Sequence, residues 1–393
     1  MTNTPSNAGR LVAIAISAGL IAAFHMGKIP AALPHLGTYF SLSLPESGLI
    51  VSSFSLLAAS LGLALGMITA RAGLYRTGIT GLMAVAIGSA LGALSPTFSL
   101  LLVSRLFEGL GFALVAITMP GIIAHVCKPH YRAIAMGVWG AFIPAAMSIM
   151  LLLSPWTLKQ HQWQGMWWIL AFVSLLWGII FAVSFRRTTL PVTSSFPSLN
   201  AVRNMCTGEP LLVACAFICY SALFAAVTAF LPTYWIAQHN MELGQASRMA
   251  SIAVTGNIAG NILAGVMVQR GWVLRQLLIV ALTLGGVCAA TIFSGWLSVS
   301  LEFFAAVGFT LFSGMLPGAV FASLGDVVSN PRDTPLFVGM IFQGAGMGQV
   351  IGPIGLSAAV SFGGGWIYAG IMIIFIALTG ILLGLNIQVR RTG

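Results

Sequence analysis

The amino-acid sequence predicts an all-α membrane protein with twelve transmembrane helices. Three observations lead to this fold class: 58% of the 393 residues are hydrophobic, only 6% are charged, and the hydrophobic residues are gathered in long runs. Soluble domains carry about 25% charged residues, so this composition is not suited to water. A helix needs about 20 apolar residues to cross a bilayer. Runs of that length disfavour an outer-membrane barrel, whose strands are short and alternate in polarity.

Short polar or Gly/Pro-bearing breaks divide the chain into six apolar runs and then six more. The first six spans are expected at 11–36, 46–70, 76–95, 98–126, 132–155 and 164–185. The second six are expected at 210–233, 246–268, 275–296, 299–325, 335–361 and 366–388. The longest polar stretch lies between them, at 186–209. We therefore predict two six-helix bundles, 1–190 and 210–393, joined by a cytoplasmic linker at 191–209.

The basic residues predict how the helices are oriented, because Lys and Arg are retained in cytoplasmic loops. With the N-terminus inside the cell, only Lys159 and Arg248 fall outside. This bias predicts a multi-pass protein of the cytoplasmic (inner) membrane with both termini in the cytoplasm. It also accounts for the net charge of +10 without a nucleic-acid partner, since no basic stripe is interleaved with aromatic residues. The residues placed on the cytoplasmic side are Arg10, Arg71, Arg76, Lys128, Arg132, Arg186, Arg187, Arg203, Arg270, Arg275, Arg332, Arg390 and Arg391.

The two halves of the chain carry an internal repeat in matching spans. Three groups of residues recur 197 to 199 positions later, which is typical of transporters built from two related halves. The matched groups are Gly66, Arg71 and Arg76 with Gly265, Arg270 and Arg275; Leu33-Pro34 with Leu231-Pro232; and Met119-Pro120-Gly121 with Leu316-Pro317-Gly318.

Twelve spans, a central linker and a duplicated Gly-x-x-x-x-Arg loop resemble the major facilitator superfamily, and the resemblance covers the whole chain. It implies two parallel six-helix repeats that open alternately to the two sides of the membrane. The family's fourth-helix Arg-x-x-x-Gly is matched by Arg105 and Gly109. The family's loop Asp is absent, because Ala70 and Gln269 stand at its two positions. The charge relay that this Asp implies is therefore not carried over.

Two further expectations accompany this resemblance. The stretch from Arg105 to Pro155 is similar to the cyanate and nitroimidazole permease branch, whose members move small anions or organic acids. The repeated loops and the prolines inside helices are expected to take part in conformational switching. These residues are Gly66, Arg71, Arg76, Pro120, Pro144, Gly265, Arg270 and Pro317.

Charged side chains within the apolar runs are the first candidates for a site, since each costs at least about 2.5 kcal/mol to insert. Lys28 lies about 26 Å along the first span, and His25 shares its helix face. Arg105 falls at a comparable depth in the fourth span, with Glu108 one turn later. Lys28, Arg105 and His25 are predicted to bind substrate, and Glu108 and His25 to couple protons. Two alternatives stay open: Lys28 snorkels to the surface, and the Arg105 pair only pins helices together.

The second half offers only neutral candidates within its spans, because Glu302 and Asp326 are expected near span ends. A cavity with mostly positive groups on one side favours an anion. Asn257 and Asn261 share a helix face, where they either select substrate or bond neighbouring helices. The neutral candidates for substrate binding are Tyr220, Asn257, Asn261 and Gln343.

A tryptophan-rich run occurs at the start of the sixth span, with Trp163, Trp167 and Trp168 close together. Tryptophan is enriched where a helix meets the membrane surface. The run is therefore predicted to form an interfacial belt.

An enzyme is not expected, because no clustered catalytic pattern, HExxH motif or Walker-type loop occurs. The five cysteines show no metal spacing, so no metal and no cofactor are expected. The leading hypothesis is a secondary active transporter, a monomer that moves a small organic anion by proton symport and alternating access. The alternative is efflux of a drug or a hydrophilic metabolite such as a siderophore, and a passive channel is a weaker alternative.

Overall fold

A computed structural model describes residues 5–128, 131, 135, 138–188, 190, 203, 205–323, 327 and 334–388. Within these residues, twelve helices are long and apolar enough to cross a membrane. The predicted all-α fold class with twelve spans is therefore confirmed. Most of the predicted linker, 191–209, and Asp326 lie outside the described residues.

The twelve helices are numbered in chain order, and α2 consists of two pieces. The first six are α1 (Pro5–Phe40), α2 (Leu44–Ser53 and Leu56–Ala72), α3 (Leu74–Ala93), α4 (Phe98–Val126), α5 (Phe142–Gln160) and α6 (Gln162–Phe185). The second six are α7 (Gly208–His239), α8 (Leu243–Gln269), α9 (Leu274–Ile292), α10 (Val299–Ala322), α11 (Thr334–Gly363) and α12 (Ile367–Leu385).

The connection between α5 and α6 is shorter than the sequence predicted. Helix α5 continues past Pro155 to Gln160, because no further Gly or Pro interrupts it before Gly165. The chain turns at Gln162, whose φ of 57° is rare for a residue with a side chain. The interruption predicted at 156–163 is therefore mostly helix.

Local sequence explains several helix ends and bends. Ser43 and Glu46 form a capping box at the start of α2, with the Ser43 amide donating to Glu46 Oε2 at 2.8 Å. Gly73, with φ of 85°, joins α2 to α3, and Gly271, with φ of 103°, follows α8 in the matching loop. Prolines lie inside several helices, where each removes one backbone hydrogen bond. Those in α1, α4, α7 and α10 include Pro30, Pro34, Pro120, Pro232 and Pro317.

Helices α1 to α6 pack on one another, as do α7 to α12, and the two groups meet mainly along α2 with α11, α5 with α8, and α1 with α7. Small residues allow close approach at these contacts. A side chain on Gly346 would meet the backbone of Ala59, and Gly48 faces Ser357. Ser148 of α5 and Ser251 of α8 bring their hydroxyl oxygens to 2.9 Å. A small cavity lies within this seam.

Candidate functional site

Four ionisable side chains from α1 and α4 meet in one buried cluster. His25, Lys28 and Glu108 are 0% exposed and Arg105 is 1% exposed. Glu108 Oε1 accepts a hydrogen bond from Lys28 Nζ at 2.6 Å and lies 3.2 Å from His25 Nδ1. Glu108 Oε2 accepts from Arg105, which also donates to the His25 carbonyl at 2.8 Å. The structure brings these four predicted residues together, and Glu108 is the centre of the cluster.

Side chains of α3 and α6 complete the surroundings of the cluster. Lys28 Nζ donates to Ser89 Oγ at 3.3 Å and lies 3.8 Å from the ring centre of Trp167. His25 Nε2 lies 2.9 Å from Ser174 Oγ. Every one of these side chains is fully buried. Lys28 therefore does not snorkel to the surface.

The interfacial-belt prediction is wrong for two of the three tryptophans. Trp163 is 3% exposed and Trp167 is 0% exposed, whereas Trp168 is 47% exposed. Gly92 of α3 lies directly against the Trp167 ring, so the absence of a side chain there admits the indole into the protein interior. The ring can then serve as a cation–π partner for Lys28.

A cavity lies between the two groups of helices, and its lining includes Arg105. The space available to water is about 20 Å³, enough for roughly one water molecule. Among the described residues, four polar side chains line it and the remaining lining is apolar. The four are Ser55 of α2, Arg105 of α4, Thr228 of α7 and Gln349 of α11.

Arg105 is the member of the buried cluster that reaches this cavity. Lys28, His25 and Glu108 do not belong to the described residues that line the cavity. The guanidinium of Arg105 lies 4.5 Å from the ring centre of Phe54, and its Nε is buried without a hydrogen-bond partner among the described residues. Arg105 thus holds Glu108 with one nitrogen while another donor stays unused.

The neutral candidates of the second half lie elsewhere. Tyr220 borders a separate cavity of about 10 Å³ between α7, α9 and α10, together with Ser313. Asn257 is buried and donates to Ser313 Oγ at 3.4 Å, and Asn261 donates to Asn257 Oδ1 at 3.1 Å. Asn257 therefore bonds a neighbouring helix, as in the alternative interpretation, whereas Asn261 bonds to Asn257 within α8. Gln343 faces Gly62 at the contact between α11 and α2.

Two residues with clear structural roles were missed. Gln349 lines the cavity and accepts a hydrogen bond from Ser55 Oγ at 2.5 Å. Glu302, expected to be near a span end, does lie in the first turn of α10, but it is 0% exposed. Glu302 therefore lies near the span end as expected, but its burial inside the protein was not predicted.

Three side chains from the end of α7 cover Glu302 and explain its burial. Tyr234 donates to Glu302 Oε1 at 2.8 Å, and Trp235 donates to Oε2 at 3.0 Å. His239 Nε2 lies 2.9 Å from the same Oε2. A position near a helix end is usually exposed, but here a neighbouring helix end lies over it.

The residues predicted to act in switching are spread along the helices. Arg71, Arg76 and Arg270 are exposed. A side chain on Gly66 or Gly265 would meet nothing within 4 Å, so close packing does not require glycine there. Pro120 and Pro317 lie inside α4 and α10, and Pro144 lies in the first turn of α5.

No group of three His, Cys, Asp or Glu side chains in the described part of the chain is placed to hold a metal ion.

Comparison with known proteins places this chain in a family. The profile of the Major Facilitator Superfamily matches residues 15–309. The hexuronate transporter of Bacillus subtilis is 22% identical, over 92% of this chain and 91% of its own length. The lincomycin resistance protein of Bacillus subtilis is 34% identical over 108 residues, which is 27% of this chain and 22% of that relative. The match thus spans less than a quarter of the resistance protein.

Solved structures share the fold over nearly the whole chain. A bacterial homologue of the human lysosomal transporter Spinster, in its inward-facing and unoccupied conformation, superposes with a TM-score of 0.73. The superposition covers 98% of this chain and 95% of that one, at 15% sequence identity. Twelve membrane-crossing helices, the family match and this shared architecture lead to one conclusion: the chain belongs to the major facilitator superfamily of transporters and is a multi-pass membrane protein, not an enzyme.

Proposed function

We propose that the protein is a secondary active transporter that moves a small organic anion through the cavity between α1–α6 and α7–α12 by alternating access. The observation that carries this proposal is the unpartnered Nε of Arg105, buried at the wall of a largely apolar cavity. A buried donor without a partner costs free energy, and an anionic ligand would satisfy it. At 4 Å and an effective dielectric constant of about 20, one such charge pair contributes about 4 kcal/mol.

The charges around Arg105 support an anion over a cation. Lys28, Arg105 and Glu108 together carry one net positive charge when His25 is neutral. An anion in the cavity balances that charge, whereas a cation would add to it. The likeness to a hexuronate transporter supports the same substrate class. In this proposal Lys28 holds Glu108 in place and does not touch the substrate.

Proton coupling through His25 or Glu108 is the second part of the proposal. When an anion binds, the neighbouring groups take up a proton more readily, and by linkage a bound proton strengthens anion binding. His25 contacts Glu108 on one side and Ser174 on the other, so an added proton would be shared within the cluster. Symport of the anion with a proton follows.

An uptake assay in proteoliposomes tests the transport proposal. Purified full-length protein is screened against small carboxylates, including hexuronates, with and without an inward pH gradient. We expect saturable uptake that the gradient accelerates. Arg105→Lys keeps a charge for Glu108 but loses the planar guanidinium, so uptake should fall at least about tenfold. Lys159→Gln, which changes an exposed lysine, is the matched control. Saturable uptake of cations, with none of anions, would overturn the proposal.

Coupling is tested with the same vesicles. Glu108→Gln and His25→Asn should still exchange substrate across the membrane, but at least one of them should fail to accumulate it against its gradient. If both variants still concentrate substrate under a pH gradient, protons are not coupled through this cluster. Substrate accumulation is then measured under a sodium gradient.

The likeness to a lincomycin resistance protein favours a second candidate, the export of a drug or a hydrophilic metabolite. Cells producing the protein should then tolerate lincomycin at higher concentration than cells producing Arg105→Lys. Equal tolerance would remove this candidate.

Several finer features are proposed on sequence grounds. The halves at 1–190 and 210–393 rock against each other, and both termini lie in the cytoplasm. The protein is a monomer of the inner membrane, and it is related to the cyanate and nitroimidazole permeases.

A further inference from the structure

Gln349 is the polar residue of α11 in the cavity wall, and it is bonded across the seam between the two groups of helices. Ser55 Oγ donates to its Oε1 at 2.5 Å. On the next residue, the Val350 carbonyl accepts from Ser52 Oγ at 2.9 Å. Gln349 is half-buried, and its amide oxygen is the atom that Ser55 engages. One half of this amide is therefore bonded between the helices.

Gln349 and Arg105 are linked through two consecutive residues of α2. Phe54 lies under the Arg105 guanidinium, and Ser55 binds Gln349. Both residues sit between the two pieces of α2, where the helix is interrupted. Gly109, one turn after Arg105, lies directly against the Phe54 carbonyl oxygen, so α4 packs closely on this interruption. Two polar side chains from opposite sides of the seam, Arg105 and Gln349, thus border the same small cavity.

The chemistry of these two side chains differs. A guanidinium pairs with a carboxylate. A carboxamide is uncharged and both donates and accepts, so it matches a hydroxyl or a carbonyl oxygen. With room for about one water, the cavity must widen to admit a solute. Widening separates Ser55 from Gln349 and leaves the whole amide to be satisfied by the solute.

We propose that Gln349 is a specificity-determining residue that selects carboxylates bearing a hydroxyl or carbonyl group, with Ser55 as its partner while the cavity is empty. This inference rests on the proposed anion transport, because Arg105 holds the carboxylate. A carboxylate without a second polar group leaves Gln349 unpaired, and sites built to bond a hydroxyl reject analogues that lack it.

The experiment compares two pairs of acids that match in charge and approximate size. Galacturonate is paired with cyclohexanecarboxylate, and glycerate with butyrate; binding to the purified full-length protein is measured by calorimetry. Wild type should prefer the hydroxylated member of at least one pair. Gln349→Leu should weaken that member about tenfold or more and change the plain acid less than about twofold. Gln245→Leu, the same change at an exposed glutamine in the first turn of α8, should leave the preference unchanged.

Ser55→Ala separates recognition from packing. It removes the group that competes for Gln349, so the hydroxylated acid should bind at least as tightly as to wild type. A purely structural Ser55–Gln349 contact would instead weaken both acids of a pair.

The two proposals fail in different ways. If Gln349→Leu weakens both acids of a pair equally, the specificity inference is wrong while anion transport stands. If wild type prefers the plain acid of both pairs, the inference is also wrong. If wild type binds none of the four acids, anion transport is overturned and the inference falls with it.

Discussion

Lys28 of α1 and Arg105 of α4 share one buried counter-ion, Glu108, whose two carboxylate oxygens each accept from a different cation. Neither cation has another carboxylate within ion-pair distance in the described part of the chain. The stability of this region therefore depends more on the single anion than on either cation.

Glu108→Gln should consequently destabilise the protein more than Lys28→Met does. The Gln variant leaves two buried cations uncompensated, which costs about 3–5 kcal/mol, whereas Lys28→Met leaves Glu108 still paired with Arg105. Thermal unfolding in detergent measures the difference. The double variant Lys28→Met/Glu108→Gln should be more stable than Glu108→Gln alone. If the double variant is less stable than both single variants, this account is contradicted.

Glu302 should behave as a structural acceptor at the end of α7. Glu302→Ala leaves the Tyr234 hydroxyl and the Trp235 indole N–H without their acceptor, and each orphaned donor costs about 1–3 kcal/mol. Glu302→Gln keeps an acceptor oxygen and should lose less stability. Unfolding temperatures of the two variants give the comparison, and an Ala variant as stable as wild type would refute it.

Two glycines of the first half should respond in opposite ways to alanine. A side chain on Gly109 would overlap the Phe54 carbonyl oxygen, whereas one on Gly66 meets nothing within 4 Å. Gly109→Ala should therefore lower stability by about 1–3 kcal/mol, and Gly66→Ala should stay within about 0.5 kcal/mol. Folded yield and unfolding temperature test this. If both variants lose the same stability, packing against Phe54 is not the cause of the loss in Gly109→Ala.

The predicted topology is tested by labelling single cysteines in a background without the five native ones. Ser195 lies outside the described residues, in the predicted cytoplasmic linker. Ser195→Cys should resist an impermeant thiol reagent added to intact cells. Trp296→Cys, in the exposed loop between α9 and α10, should be labelled readily. The reverse pattern would invert the orientation.

The sequence predicted the helices and the charged cluster because both leave strong local signals. Long apolar runs mark spans, and Lys28, Arg105 and Glu108 are conspicuous within them. Gln343 was chosen as a candidate and Gln349 was not, although both are neutral residues in one apolar helix. The choice between them depends on how α11 is rotated against α2. Glu302 was missed because its distance from the helix start says nothing about which neighbour covers it.

The prolines of α1 and α7 give the cavity a feature that no side chain supplies. Pro30 and Pro232 lack the amide hydrogen that would bond four residues back, which leaves the main-chain oxygens of Met26 and Thr228 without that donor. Met26 and Thr228 both belong to the cavity wall. On the α1 side and on the α7 side of the cavity, one main-chain oxygen thus lacks its usual helical donor, and we expect a solute rich in hydroxyl groups to bond to these oxygens. Truncating the side chains around them leaves these acceptors in place, whereas Pro232→Ala would supply the missing hydrogen and occupy one of them.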